Sequence, residues 1–323
     1  MSLWLIGAGP HARAYAKVLN QLNIEYEVIG RSPCSAREFE LSMGKVVYSG
    51  GVANALTQSG PPKAAVVAVS FEQLADVAID LIKAGTKRIL LEKPGGLTVS
   101  QLAGVRDAAA RRGAEVLIAY NRRFYAATAK ARELIAEDGG PVSCSFEFTE
   151  WAHKIALTAL PAEVKASWLM ANSSHVADLA FHLCGLPKEW KCWHAGAIEW
   201  HPAAARYCGA GITDRGVLFS YLADWQAPGR WSLDVLTRKR RLIFKPMEQL
   251  QVTMMASGKT EFVEIDDALD REFKPGLYRE TQAFLAEDDG LFCTITGQLC
   301  NGAIYSEMAG YSTAILNSDH SDS

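Results

Sequence analysis

The side chains best suited to chemistry fall in two places. Between Asn172 and Gly185, an otherwise apolar segment carries His175, Asp178 and His182 at i, i+3 and i+7, on one stripe of a helix. A histidine titrates near neutral pH and can take up a proton, and a carboxylate one turn away can orient it or bond a neighbouring hydroxyl. The same stripe also fits a solvated helix face, and its spacing matches no usual zinc-ligand motif. The second place is Glu92-Lys93-Pro94-Gly95-Gly96, directly after the apolar run 88–91. Ligands of open α/β sheets bind outside the carboxyl ends of the strands, and a lysine there can polarise a carbonyl or stabilise an alkoxide.

The elements that must position these groups begin at the N-terminus. An apolar run, Leu3–Ile6, turns through Gly7-Ala8-Gly9-Pro10-His11-Ala12 into an Ala- and Leu-bearing segment, and a second apolar run ends at Gly30-Arg31-Ser32. That is strand, glycine turn, helix and strand, with the G-x-G-x-x-A variant of the dinucleotide fingerprint. Gly7 permits the tight turn, Gly9 lets a pyrophosphate approach the backbone, and Ala12 lets the helix pack on the strand. The helix start, with Pro10 and His11, then faces the phosphates with unpaired N–H groups. An acidic residue at the end of the second strand would bond the ribose hydroxyls of NAD. Arg31 and Ser32 stand there instead, and a guanidinium fork suits the 2′-phosphate of NADP(H). If Arg31 merely stacks on the adenine, NAD remains possible.

The periodicity predicts helices over 36–43, 51–57, 72–84, 97–112 and 125–137, with Thr98 or Ser100 opening the fourth. Strands are expected at 45–48, 64–69, 88–91 and 116–119, the middle runs apolar enough to be buried on both faces of a parallel sheet. The first domain therefore reads as a doubly wound Rossmann domain over 1–122. Asn121 and Arg122, at the end of its last strand, fall at the ligand cleft. Beyond it, 142–150 alternates as a strand. Residues 151–172, with Trp151 and Trp168, read equally as a substrate loop or a surface helix. A serine is expected to cap the helix that carries His175. Strands at 191–194, 205–210, 216–224, 231–237 and 240–244 then build a mostly antiparallel open sheet, with Ala227-Pro228-Gly229 as a hairpin turn. Helices follow at 277–286 and 298–316, completing an α+β domain over 123–316. A polar tail, 317–323, is expected to be disordered.

With 323 residues and a net charge of −3, the chain is long enough for two domains and gives no electrostatic case for nucleic acid or membrane. The basic run 238–241 reads as a solvated turn. Seven cysteines, odd in number and without C-x-x-C, argue for reduced thiols in the cytoplasm. An open apolar sheet face commonly pairs with another subunit, so a homodimer or homotetramer is expected.

The glycine turn, then a strand ending in Glu92-Lys93-Pro94, then one ending in Tyr120-Asn121-Arg122-Arg123-Phe124, resembles the glucose-fructose oxidoreductase/inositol dehydrogenase/MocA family. The resemblance continues into the second half of the chain. It implies NADP(H)- or NAD(H)-dependent hydride transfer at a hydroxyl or keto carbon of a sugar, polyol or nucleotide-linked sugar. Lys93 then contacts the substrate oxygen or the nicotinamide ribose, and Asp178 and His182 form the family's Asp-x-x-x-His pair, with His182 moving the proton and Asp178 positioning it. His175, Arg122 and Trp168 are substrate-binding candidates, and Glu92 and Ser70 join the cofactor set. Two departures stand out. Asn172-Ser173-Ser174-His175 replaces a glycine-rich approach, and Ser70-Phe71-Glu72 replaces a Thr-Pro-Asn type of sequence. His175 can therefore replace or assist His182. Cofactor-assisted glycoside cleavage and a non-catalytic dinucleotide-binding role are the alternatives on the same scaffold.

Overall fold

The computed structural model describes residues 2–311. They pack as two units: residues up to Tyr125 with Asp267–Cys300, and Ala126–Asp266 with the residues from Asn301 on. The chain thus leaves the first unit after Tyr125 and rejoins it at Asp267.

The first unit is built on six parallel strands: β1 (Leu3–Ile6), β2 (Glu27–Ile29), β3 (Val47–Tyr48), β4 (Ala64–Val67), β5 (Arg88–Glu92) and β6 (Glu115–Ala119). Their order is β6-β5-β4-β1-β2-β3, and the short strand Cys293–Thr294 adds antiparallel beside β6. The apolar runs are continuous because both faces are covered. Leu5, Val66, Leu90 and Leu117 enter the core on one side, and Ile6, Val67, Leu91 and Ile118 that on the other. Strand order reverses between β1 and β4, which opens a crevice at the carboxyl ends. Thr98 opens the helix Val99–Arg112 through a reciprocal capping box with Gln101.

The second unit holds β7 (Ser143–Glu147), β8 (Pro187–Ala195), β9 (Arg206–Thr213), β10 (Leu218–Asp224), β11 (Ser232–Leu236), β12 (Arg240–Phe244), β13 (Gln251–Met254) and β14 (Thr260–Phe262). Their order is β14-β13-β12-β11-β7-β10-β9-β8. Every pairing is antiparallel except β7 with β10. The inner face packs on the helix Ser174–Cys184, whose Phe181 meets Phe146 and Phe219 edge-on, with ring centres 5.6 and 5.5 Å apart. The outer face is left open. One row across it runs Trp193, Cys208, Leu222 and Glu147, the next Lys191, Ala210, Ser220 and Ser145. Leu218, Leu222 and Trp193 are 60%, 64% and 61% exposed.

Several sequence expectations are corrected here. Ala227-Pro228-Gly229 is not a hairpin turn, because β7 lies between β10 and β11. The local turn residues carry no information about a strand inserted from far upstream. No serine caps the helix Ser174–Cys184. Ser173 is already helical (φ −67°, ψ −20°), and a wide turn, Leu169–Ser173, runs into it. Ser174 instead donates back to the Met170 carbonyl at 2.7 Å. The stretch 151–172 is neither one loop nor one helix, but two short helices, Ala152–Ala156 and Ala162–Ala166, before that wide turn. The basic run 238–241 is only partly a solvated turn. Arg240 donates to the enclosed carboxylate of Asp138 at 2.8 Å, and Arg241 pairs with Asp234. Strands β13 and β14 lie within the strand-rich stretch up to 265, beyond the last individually expected strand. The last described helix, Ile295–Ala309, ends before Gly310, and the expected continuation over 312–316 and the tail 317–323 lie outside the described residues. Among the described residues, no helix is long and apolar enough to cross a membrane.

Candidate active site

In the first unit, the parallel sheet brings one group of expected residues to a single edge. β1 leads into Gly7–Ala12, β2 into Gly30-Arg31-Ser32, β4 towards Ser70, β5 into Glu92-Lys93, and β6 into Asn121-Arg122. Gly7 has φ +117°, and a Cβ there would collide with the Ala68 carbonyl, so only glycine fits the turn. At Gly9 a Cβ would meet nothing within 4 Å. The space over that backbone is therefore open to a ligand. The helix Pro10–Gln21 has Gly9 as its N-cap and no side-chain cap, and its first backbone bond runs from Arg13 to the Gly9 carbonyl. The His11 and Ala12 N–H groups are thereby left for an anion. These residues fit a dinucleotide diphosphate.

Arg31 is exposed, and its guanidinium is steadied. With the Gln73 amide oxygen turned towards it, Gln73 accepts from both terminal nitrogens, from Nη2 at 2.8 Å. A fork held above the second strand's end suits a ribose phosphate. Ser32 starts the next helix, Pro33–Met43, as its N-cap residue. Ser70 donates its hydroxyl to Glu72 in the same loop as Gln73.

Lys93 is 5% exposed, and its ammonium lies 5.1 Å from the centre of the Phe71 ring. Glu92 beside it is ionised. Burial alone would raise its pKa, but the hydrogen bond from His11, with the charges of Lys274 and Lys93, outweighs burial and brings it down to about 2. Asn121 donates from Nδ2 to the Pro275 carbonyl at 2.9 Å, so its amide holds the 275–276 turn. The Arg122 guanidinium lies 5.8 Å from the Tyr125 ring centre.

In the second unit, His175 and Asp178 are 7% and 1% exposed, which excludes a solvated stripe. His182 sits in the last turn of the helix. Seven residues of α-helix span about 10 Å along the axis, so His175 and His182 cannot both serve one reacting atom. The His175 end is the polar one. Its ring lies 6.2 Å from that of Trp231, and one turn earlier Ser173 and Asn172 donate to Glu150 at 2.7 and 3.0 Å. Glu150 also lines an open pocket of about 720 Å³ with Trp151, His153, Trp200, Trp225 and Gln226. Trp168 stands edge-on behind Trp200, and it is Trp200, stacked on Trp225, that lines the pocket.

Sequence reasoning did not single out Tyr15, Gln73, Glu150, Trp231, Lys274 or Glu280. For Glu280 a signal existed: it occupies an apolar-stripe position between Leu277 and Phe284 in the helix Leu277–Leu285, and it is fully enclosed. The others come from distant parts of the chain and leave no local mark.

Residues 1–120 match the model of the oxidoreductase family with an NAD-binding Rossmann fold, GFO_IDH_MocA. Among curated proteins, none matches the chain. Among solved structures it resembles levoglucosan dehydrogenase in complex with NADH and L-sorbose, at 16% identity and TM-score 0.79, covering 96% of each chain. It also resembles UDP-N-acetylglucosamine 3-dehydrogenase from Acidithiobacillus ferrooxidans, at 17% identity and TM-score 0.74, covering 96% of this chain and 97% of that one. A third is an NAD-binding oxidoreductase from Klebsiella pneumoniae, at 16% identity and TM-score 0.73, covering 96% of each. At these identities the likeness establishes the fold. With the glycine turn and the Glu-Lys-Pro strand end, residues 1–120 match the NAD-binding Rossmann fold of the Gfo/Idh/MocA oxidoreductases.

Proposed function

We propose that this protein is an NADP(H)-dependent dehydrogenase acting on a hydroxyl or keto carbon of a sugar, a polyol or a nucleotide-linked sugar. The observation that carries the reading is the open, uncapped helix start over Gly9 at the same sheet edge as the enclosed Lys93. When bound, the nicotinamide supplies the hydride chemistry. Lys93 steadies the negative charge that develops on the substrate oxygen. His175 takes the hydroxyl proton during oxidation and returns it during reduction, and Asp178, one turn on, orients it. His175 is preferred to His182 because its end of the helix carries Glu150 and Trp231. The indole-lined pocket supports a sugar-like substrate, since flat apolar rings beside polar groups suit a pyranose face. The fork of Arg31 on Gln73 supports NADP(H) over NAD(H). Seven free cysteines accord with a reducing, cytoplasmic setting. The exposed Leu218 and Leu222 on the open sheet face support pairing with a second copy of this chain.

The test is turnover of NADP⁺ with a panel of sugars and polyols. Lys93→Met and His175→Ala each lower kcat by about 100-fold or more, the range for losing a charge-stabilising or proton-transferring group. His182→Ala changes it by less than about threefold, as for a group remote from the proton transfer. Substrate consumed without net NADPH would instead indicate cofactor-assisted cleavage. Equal losses in the two histidine variants would overturn the assignment of His175.

A further inference from the structure

Beneath the glycine turn lies a polar chain that the proposed chemistry does not use. Glu92 and Glu280 are 7% and 0% exposed, and Tyr15, between them, is fully enclosed. The Tyr15 hydroxyl lies 3.0 Å from Glu92 Oε1 and 3.2 Å from Glu280 Oε2. On the far side, His11 Nδ1 lies 3.4 Å from the same Glu92 oxygen, and the Lys274 ammonium lies 2.7 Å from His11 Nε2.

Proton counting orders this chain. A tyrosine hydroxyl has one hydrogen and can donate to one carboxylate. A second ionised carboxylate against its oxygen would meet only lone pairs, at a fully buried position. One of the two glutamates therefore carries a proton and donates it to the tyrosine oxygen. Glu92 has the His11 ring N–H, Lys274 and Lys93 for company, whereas of the two lysines only Lys274 acts appreciably on Glu280, against the charge of Glu92. The proton resides on Glu280. Every link then has a donor and an acceptor: Glu280 to Tyr15, Tyr15 to Glu92, His11 to Glu92, and Lys274 to His11. This order also sets the His11 tautomer, with hydrogen on Nδ1.

The chain ties together the two parts that must hold a dinucleotide. Tyr15 and His11 belong to the helix Pro10–Gln21, whose start faces the phosphates. Glu92 is the last residue of β5, next to Lys93. We propose that Glu280, as a neutral acid, is a positioning residue for dinucleotide binding: through Tyr15 it holds the phosphate-facing helix and the Lys93 strand end in one arrangement. The inference rests on the dinucleotide-binding part of the functional reading. It adds a buried carboxyl group, far along the chain, that acts without touching the ligand.

The test uses the full chain and three variants, Glu280→Gln, Glu280→Leu and Tyr15→Phe. The infrared difference between wild type and Glu280→Gln at neutral pH, without ligand, should contain the carbonyl band of a protonated carboxylic acid. A carboxylate band in its place overturns the proposal whatever the protein binds. Titration with NADP⁺ and with NAD⁺ supplies the second readout. Glu280→Gln, neutral and still a donor to Tyr15, keeps the wild-type dissociation constant within about twofold, whereas Glu280→Leu weakens binding by about tenfold or more. Tyr15→Phe removes only the hydroxyl and is the arm to rely on should Glu280→Leu fail to fold; it weakens binding by about fivefold or more. Wild-type affinity in Tyr15→Phe overturns the positioning role. A wild type that binds neither dinucleotide overturns the functional reading and the positioning role with it, and is told apart by an infrared band that still reports the neutral acid.

Discussion

Replacing Glu280 with glutamine removes a proton equilibrium while nearly keeping a shape, and its energetic consequence can be worked out. Burial, and after it the charge of Glu92, hold the Glu280 carboxyl well above the ordinary carboxyl range in the folded protein. In the unfolded chain it ionises near about 4.3. Its folded pKa is raised, so its contribution to stability is complete below the unfolded value and drains away as pH rises towards the folded one. The slope is that of one proton, about 1.4 kcal/mol per pH unit. Glu280→Gln has no proton to lose. The variant should therefore gain on the wild type by about 1.4 kcal/mol per pH unit from about pH 5 upwards, until the folded Glu280 itself ionises. Two pH units amount to about 2.7 kcal/mol, large beside the stability of an ordinary domain. Glu92 does not blur this window. Its folded pKa of about 2 lies below the unfolded value, so it is ionised in both states above about pH 5, and its contribution is lost only as the solution is made more acid. The assay is urea unfolding followed by far-ultraviolet circular dichroism at a series of pH values. A difference between the two proteins that does not change with pH would refute the reasoning, because it would mean that Glu280 enters the fold already ionised.

Arg31→Ala should weaken NADP⁺ binding by about 10- to 100-fold, the worth of charge-assisted bonds to a phosphate, and leave NAD⁺ nearly unchanged; equal effects on both in a binding titration would remove the basis for preferring NADP. Leu222→Lys places a charge in the exposed apolar row of the second sheet, and should shift the sedimentation coefficient towards that of a single chain if a second copy covers that face. Asp138→Ala leaves Arg240 largely enclosed without its closest carboxylate, and should cost about 3–5 kcal/mol in denaturant unfolding; a cost below about 1 kcal/mol would mark the pair as solvent-screened.

The first sheet was legible because its signals are local. Runs such as Ala64–Val67 are apolar throughout, since both faces are covered, and Gly7 is forced by the nearness of the Ala68 carbonyl. Periodicity likewise put His175, Asp178 and His182 on one stripe, but the same stripe fits a solvated face. Only packing on β7 and β11 buries it, and only the helical rise separates its two histidines. The hairpin expected at Ala227-Pro228-Gly229 failed for a related reason: turn residues report that the chain bends, while the neighbour across the bend is chosen by β7, far back in the chain.

The sequence by itself determined the strand, turn and helix that receive a dinucleotide, the Glu-Lys-Pro strand end and the two kinds of sheet, because each is written in consecutive residues with a fixed period. The tertiary structure alone decided which polar groups share a proton. Tyr15, Glu92 and Glu280 stand far apart in the chain, and only folding brings a single hydroxyl between two carboxyl groups. Removal from water then makes an unmatched charge too costly, and that cost, invisible in any short stretch of sequence, fixes where the proton goes.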